Sequence, residues 1–369
     1  MTPRSDRDGA AIEGPRAAPE RAPALSVDRL RAYYMTHYFG VEREVRAVDD
    51  ISLVVNRNEI YGLAGESSSG KTTFLKTIAA AIRPPLTVIG GDVRYSFLDR
   101  DIYALSPAEL SAIRWKHLSY ITQGSMNVLN PVRRVRQSFI DFAFRHMNLS
   151  RRAFFPAVER HLQQLHLAAN VLDAYPHELS GGMKQRVTIA LATICRPEFI
   201  IADEPTTALD VIVQKDVLAM IRNAQQAIGS SILFVTHDMT VHANIADRLG
   251  VMYAGRLVEE APTADIFHKP MHPYTAHLVG SLPKIGETAR QEALSGSPPN
   301  LADPPAGCRF HPRCPLAMDI CRQASPALTT LAPGRRVACY AASPLVQASE
   351  PAESAPDAAL RTRTAGARR

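Results

Sequence analysis

The sequence predicts an α/β fold: a phosphate-loop core with a mostly parallel sheet, an antiparallel β subdomain, a helical insertion and a small cysteine-bearing C-terminal extension. Three observations carry this. Gly65-Glu66-Ser67-Ser68-Ser69-Gly70-Lys71-Thr72 fits G-x-x-x-x-G-K-[ST], the phosphate-binding loop, and stands between a short apolar strand (59–64) and a helix (72–82). Strands then alternate with helices: strand 198–203, helix 211–228, strand 231–236 and strand 249–253. Lastly, Phe199-Ile200-Ile201-Ala202 runs into Asp203-Glu204, which sets two carboxylates at the carboxyl edge of the sheet, where ligands bind in such folds.

Taken in order, residues 1–22 and 342–369 are biased to Ala, Pro and Arg and are expected to be disordered tails. Apolar alternation over 24–34 and 45–55 predicts two antiparallel strands, and Asn56-Arg57-Asn58-Glu59 is the turn into the phosphate-loop strand. Pro84-Pro85 closes the first helix, and a strand follows at 88–97. Ser106-Pro107-Ala108-Glu109 is a capping box with proline at the first helical position, opening a helix to 117. A strand at 118–122 then ends in Gln123. Residues 132–170 read as almost wholly helical, with Phe139, Phe142, Phe144, Leu162, Leu165 and Leu167 as core positions. Because 132–180 carries no strand signal, it is read as a helical insertion.

A chain of 369 residues accommodates one large domain plus an appendage, or two domains. Its 46% hydrophobic and 21% charged residues are ordinary for a soluble globular protein. No apolar run approaches the roughly 20 residues that span a bilayer, and residues 1–22 lack the apolar core of a signal peptide, so a cytoplasmic location is expected. The formal charge of +6 is concentrated locally: seven arginines between 131 and 160 face only Asp141 and Glu159. That stretch is either a solvated helical face or a surface for an acidic partner or anionic headgroups. No aromatic-interleaved basic stretch accompanies it, which argues against nucleic acid.

In the phosphate loop, backbone N–H groups and a helix N-terminus converge on an anion, Lys71 adds a full charge, and the Thr72 hydroxyl is placed to hold Mg²⁺. Asp203 is the matching Mg²⁺ holder and Glu204 the candidate general base for water. Leu179-Ser180-Gly181-Gly182-Met183 opens another helix, whose N-terminus offers a second anion site if two copies pair; the alternative is that Ser180 merely caps.

This set, in this order, resembles the P-loop NTPases known as ATP-binding cassette (ABC) ATPases. Leu179–Met183 resembles the signature motif and Asp203-Glu204 the Walker B end. Gln123 resembles the Q-loop glutamine, Ala208-Leu209-Asp210 the D-loop, and His237 in Phe234-Val235-Thr236-His237-Asp238 the switch histidine. Tyr34 or Tyr33 is the aromatic that would stack on adenine. The resemblance implies ATP held by Gly65, Ser67, Ser68, Ser69, Gly70, Lys71, Thr72 and Thr73, with Mg²⁺ held by Thr72, Gln123 and Asp203. It also implies a head-to-tail dimer in which Ser180, Gly181, Gly182 and Asp210 of another ABC ATPase subunit, a paralogue or a second copy, complete the site. Glu204 would activate water while Gln123 and His237 sense the γ-phosphate.

Beyond the cassette (23–258), residues 259–341 are similar to the extension of peptide and nickel importer ATPases, through Glu259–Phe267 and His272-Pro273-Tyr274-Thr275. This class implies two transmembrane permease subunits, an extracytoplasmic solute-binding protein and a peripheral place on the cytoplasmic face of the inner membrane. Oligopeptide or dipeptide uptake is the leading reading; nickel or oligosaccharide import and a soluble non-transport ABC ATPase are the alternatives. Cys308, Cys314, Cys321 and Cys339 are spaced C-x5-C-x6-C-x17-C, which suits Zn²⁺ or an iron–sulfur cluster, or leaves four unligated thiols. The resemblance implies [4Fe–4S]. Two departures stand out: Ser68 where these importers usually have glycine, and Gly124-Ser125-Met126-Asn127 in place of the usual Asp-Pro after Gln123.

Overall fold

In the computed structural model, residues 22–38, 40–122, 128–207, 209–282 and 296–342 are described. Most of residues 1–22 and 342–369, together with Gln123–Asn127 and Ala208, lie outside them. The antiparallel sheet comprises β1 (Pro23–Tyr38), β2 (Val41–Asn56) and β4 (Leu86–Tyr95), in the order β2-β1-β4. Both opening strands outrun the expected 24–34 and 45–55, because bulges let β1 and β2 stay paired through polar stretches that break the apolar alternation.

An eight-stranded sheet holds the core. It contains β3 (Ile60–Ala64), β5 (Leu118–Ile121), β6 (Phe199–Asp203), β7 (Ser231–Val235), β8 (Arg248–Tyr253), β9 (Arg256–Pro262), β10 (Thr329–Ala332) and β11 (Arg335–Val337). The order is β10-β11-β9-β8-β3-β7-β6-β5, parallel from β8 to β5 and antiparallel from β8 to β10. Each parallel strand is apolar on both faces and sorts its side chains by alternation. Ile200, Ala202, Ile232 and Phe234 pack against helices, while Phe199, Ile201, Leu233 and Val235 pack toward the antiparallel sheet.

The helix behind the phosphate loop, α1 (Lys71–Ile78), stops short of the expected residue 82; Ala80 takes φ +48°, which no helix continues. The capping box at Ser106 and Glu109 forms as read and opens α2 (Pro107–Ile113). The insertion is two helices rather than one nearly continuous run. α3 (Val135–Phe142) and α4 (Arg151–Gln164) are separated by a 3₁₀ turn and by Ser150, which caps α4 by accepting from Ala153 N. They lie on α5 (Gly181–Thr193) and α6 (Val211–Ile228), with Phe139, Phe154, Val158 and Leu162 fully buried. Several of the insertion's arginines are engaged at the surface, as in Arg133–Asp141 (2.6 Å) and Arg136–Asp173 (3.2 Å).

After β7 come α7 (Met239–Ile245), α8 (Thr263–His268), α9 (Pro273–Gly280) and α10 (Asp319–Gln323). The boundary read at 258/259 falls inside β9, and β10 and β11 extend the same sheet. Ion pairs fasten this end: Arg248 bridges Glu59 and Glu260, Arg336 also holds Glu260, Arg335 reaches Glu259, and Arg309 and Arg256 share Asp49. Glu259 and Glu260 are both fully buried, so these partners are what keep two carboxylates out of water.

Candidate nucleotide site

The central strands β3, β7 and β6 lie side by side and end at one edge. The phosphate loop follows β3, Asp203-Glu204 close β6, and His237 follows β7. Parallel pairing therefore gathers at one place residues that stand up to 172 apart in sequence (65 to 237).

The loop needs unusual backbone. Gly70 has φ +100°, and a Cβ there would meet Ala47 O at 1.9 Å, so only glycine fits. Ser68 has φ +65°; the departure read in the sequence does sit in the left-handed region, at a strain of about 1 kcal/mol. Lys71 Nζ lies within the loop and donates to Gly65 O (2.7 Å), Glu66 O (2.8 Å) and Ser69 Oγ (3.3 Å). Burial pushes its ammonium down to about 8, against the pull of Glu204, Asp203 and Glu66.

Asp203 is buried, and burial pushes its carboxyl above the usual range; the hydrogen bond from Tyr120 acts against this and the charge of Glu204 adds to it. Tyr120 Oη donates to Asp203 Oδ2 at 3.2 Å, while Oδ1 is buried with no hydrogen-bond partner among the described residues. A lone carboxylate oxygen beside Thr72, which lines the same cleft of about 620 Å³, fits a hard divalent cation such as Mg²⁺. Glu204 takes φ +48°, a strained conformation for a non-glycine residue. Its Oε1 is 3.1 Å from His237 Nδ1, and its Oε2 accepts from Thr207 Oγ1 at 2.9 Å. The general-base and switch candidates are thus in direct contact.

The two tyrosines separate cleanly. Tyr33 is buried and donates to Asp49 Oδ1 at 2.6 Å, whereas Tyr34 is half-buried, lines the cleft and has its hydroxyl 3.1 Å from Thr73 Oγ1. Ser180 caps α5, accepting from Met183 N at 3.3 Å; among the described residues no hydrogen bond joins Ser180–Gly182 to the phosphate loop. Asp210 caps α6 through Ile212 N and Val213 N. Gln123 lies outside the described residues. Tyr120 went unread in the sequence, where it is one apolar-strand residue among four; only the sheet shows that it faces Asp203.

The sequence profile of the ABC transporter family matches residues 48–207, and that of the oligopeptide/dipeptide transporter C-terminal region matches 258–321. The oligopeptide transport ATP-binding protein OppD of Salmonella typhimurium is 39% identical over 327 residues, covering 88% of this chain and 95% of that protein. The dipeptide transport ATP-binding protein DppD of Bacillus subtilis is 38% identical over 322 residues, covering 86% and 94%. The chain belongs to the oligopeptide/dipeptide family of ABC transporter ATP-binding subunits. Its fold is that of the cassette MJ0796, solved as a dimer bound to ADP and phosphate, with a TM-score of 0.56 and 24% identity over 65% of this chain and 98% of that one. As an ABC ATPase, it hydrolyses ATP to drive transport. The larger cavity of about 960 Å³ lies between α4, α5 and α6 and contains none of the nucleotide-site residues.

Proposed function

We propose that this ABC ATPase binds MgATP at Gly65–Thr73, with Tyr34 against the adenine, and energises uptake of oligopeptides or dipeptides. The observation that supports the assignment of roles is the contact of Glu204 with His237 beside Lys71 and Asp203. Phosphate oxygens replace Gly65 O, Glu66 O and Ser69 Oγ as acceptors for Lys71. Glu204, held by His237 and Thr207, takes a proton from the attacking water. Asp203 and Thr72 would hold Mg²⁺, which would supply charge neutralisation to the phosphates. Catalysis here is positioning and electrostatics, with no covalent step on the protein.

The Ser180–Gly182 helix start, capped on itself and unjoined to the chain's own loop, supports the head-to-tail reading: it completes the site of another ABC ATPase subunit. Two permease subunits and an extracytoplasmic binding protein complete the proposed importer, with this chain peripheral on the cytoplasmic face of the membrane. Glu204→Gln is the test. In the assembled transporter it is expected to lower ATP turnover by about 10²–10⁴-fold while ATP binding persists; an unchanged rate refutes the role.

The cysteine quartet is gathered in the extension. Cys308 N donates to Cys321 O at 2.8 Å, and burial, with the neighbouring Cys321, Cys339 and Cys314, pushes the Cys308 thiol up to about 11. Among the described residues, however, no three His, Cys, Asp or Glu side chains are set closely enough to hold a metal ion. Four neighbouring thiols match the donor chemistry of a [4Fe–4S] cluster or Zn²⁺, but as placed they do not form a ligand set. Anaerobically purified protein decides it: iron and visible absorbance that vanish in Cys314→Ser support the cluster, zinc alone supports the alternative, and neither metal refutes both.

A further inference from the structure

The phosphate loop is gripped from the C-terminal extension at a position that the loop motif leaves variable. Glu66 is held at three points. Its N–H donates to Tyr274 Oη at 2.8 Å, its carboxylate accepts from Arg313 Nη1 at 2.9 Å and Nη2 at 3.1 Å, and its carbonyl accepts from Lys71 Nζ at 2.8 Å. Tyr274 and Arg313 both lie outside the cassette, on α9 and beside Cys314. Both are shielded: Tyr274 is fully buried and the Arg313 side chain is 7% exposed. An aromatic cluster sets them in place. The Tyr253 and Tyr274 ring centres are 4.6 Å apart, Phe310 packs on both at 5.2 and 5.5 Å, and the Arg313 guanidinium lies over Tyr253 at 5.8 Å.

A bidentate, shielded Arg–carboxylate pair differs from a surface ion pair in both geometry and strength. Its effect follows from what Lys71 must do. When phosphate arrives, Lys71 lets go of Gly65 O and Glu66 O, and the loop loses its own internal tie. Tyr274 and Arg313 are then the contacts that keep the Glu66 peptide oriented and the loop N–H groups converged. Holding a binding loop in its bound shape lowers the ordering cost of binding. We propose that Arg313 and Tyr274 are positioning residues for the nucleotide: together they latch the phosphate loop through Glu66, and their loss appears in ATP affinity and KM rather than in kcat. This goes beyond the roles assigned above, since neither residue touches the reacting atoms.

The test is equilibrium binding of MgATP to the full chain, with melting curves for each variant, and steady-state turnover in the assembled transporter. Arg313→Ala is expected to weaken ATP binding by about ten-fold and Arg313→Lys by less, because lysine keeps the charge and loses the fork. Arg336→Ala breaks an ion pair of the same extension away from the loop and is expected to stay within about two-fold. In a Glu66→Ala background, Arg313→Ala is expected to add nothing further. The latch is overturned if folded Arg313→Ala binds ATP within two-fold of the parent, if its effect adds to that of Glu66→Ala, or if Arg336→Ala is equally weakened. Should Arg313→Ala fail to fold, Tyr274→Phe carries the test, with about three-fold weaker binding and unchanged kcat expected; unchanged affinity overturns the latch.

Discussion

Lys71 links ATP binding to pH within reach of a titration. Its ammonium is buried, and desolvation brings it down to about 8 from an ordinary value of 10.5. Only the charged form meets phosphate with a full positive charge, so affinity is complete below that value and is lost as pH rises through it. With a midpoint of about 8, roughly nine-tenths of the protein is protonated at pH 7 and roughly one-tenth at pH 9. Apparent affinity scales with the competent fraction, which gives about a ten-fold loss between those pH values. Calorimetric titration of MgATP in two buffers of different ionisation enthalpy reads both the affinity and the proton uptake that must accompany binding near pH 8.5. The groups that face Lys71 are Glu204, Asp203 and Glu66, all of which hold its proton on. Glu204→Gln should therefore move the inflection to lower pH. Lys71→Arg keeps its charge and should give a flat profile. A wild-type affinity constant to pH 9, with no proton uptake, refutes the buried-ammonium account.

The strained loop and the anchored extension give two more outcomes. Ser68→Gly relieves about 1 kcal/mol of left-handed strain and returns about 0.5–1 kcal/mol as unfolded-chain entropy, so its melting temperature should be unchanged or slightly raised. Ser68→Val should be clearly less stable than either; equal stability of all three by thermal unfolding would show that φ at 68 carries no cost. Arg309→Met removes one of the two arginines on buried Asp49, leaving Tyr33 and Arg256, and is expected to cost about 3 kcal/mol in denaturant unfolding.

How much of this was legible in the sequence depended on whether a feature is local. The phosphate loop, the capping box at Ser106, the 18 residues of α6 and the acid-terminated strand β6 are written in consecutive residues, and each formed where it was read. The order of the motifs was sufficient to indicate the family. Where tertiary context decides, the sequence was silent. The run from 132 to 170 looked continuous because aromatic and leucine residues recur on both sides of the break at Met147–Ser150, which carries no proline or glycine to mark it. Nothing local distinguished Tyr33 from Tyr34: strand alternation puts neighbours on opposite faces, and only the position of Asp49 and Thr73 shows which side is which. Tyr120 and Arg313 are invisible for the same reason, since their partners are 83 and 247 residues away.

These long-range contacts change what the C-terminal third is. As a composition it reads as an appendage with cysteines. In the structure β9 and β11 carry the sheet onward from β8, and the buried pair Glu259 and Glu260 is neutralised by arginines of both β8 and β11. Arg309 reaches back to Asp49 in β2, and Arg313 reaches Glu66 in the loop itself. A segment held only for solubility would have no reason to set three charged contacts against the catalytic half (Glu260 on Arg248, Arg309 on Asp49, Arg313 on Glu66), each of which must repay its desolvation with close geometry. Charged pairs of this kind fix position more than they add stability. Among them, the Arg313–Glu66 pair sits at the rim of the phosphate loop, one residue after Gly65, where a small rotation of one peptide decides whether the N–H groups converge on an anion. On the proposed latch, the extension is part of the nucleotide site's scaffold, built on the cassette from the opposite end of the chain.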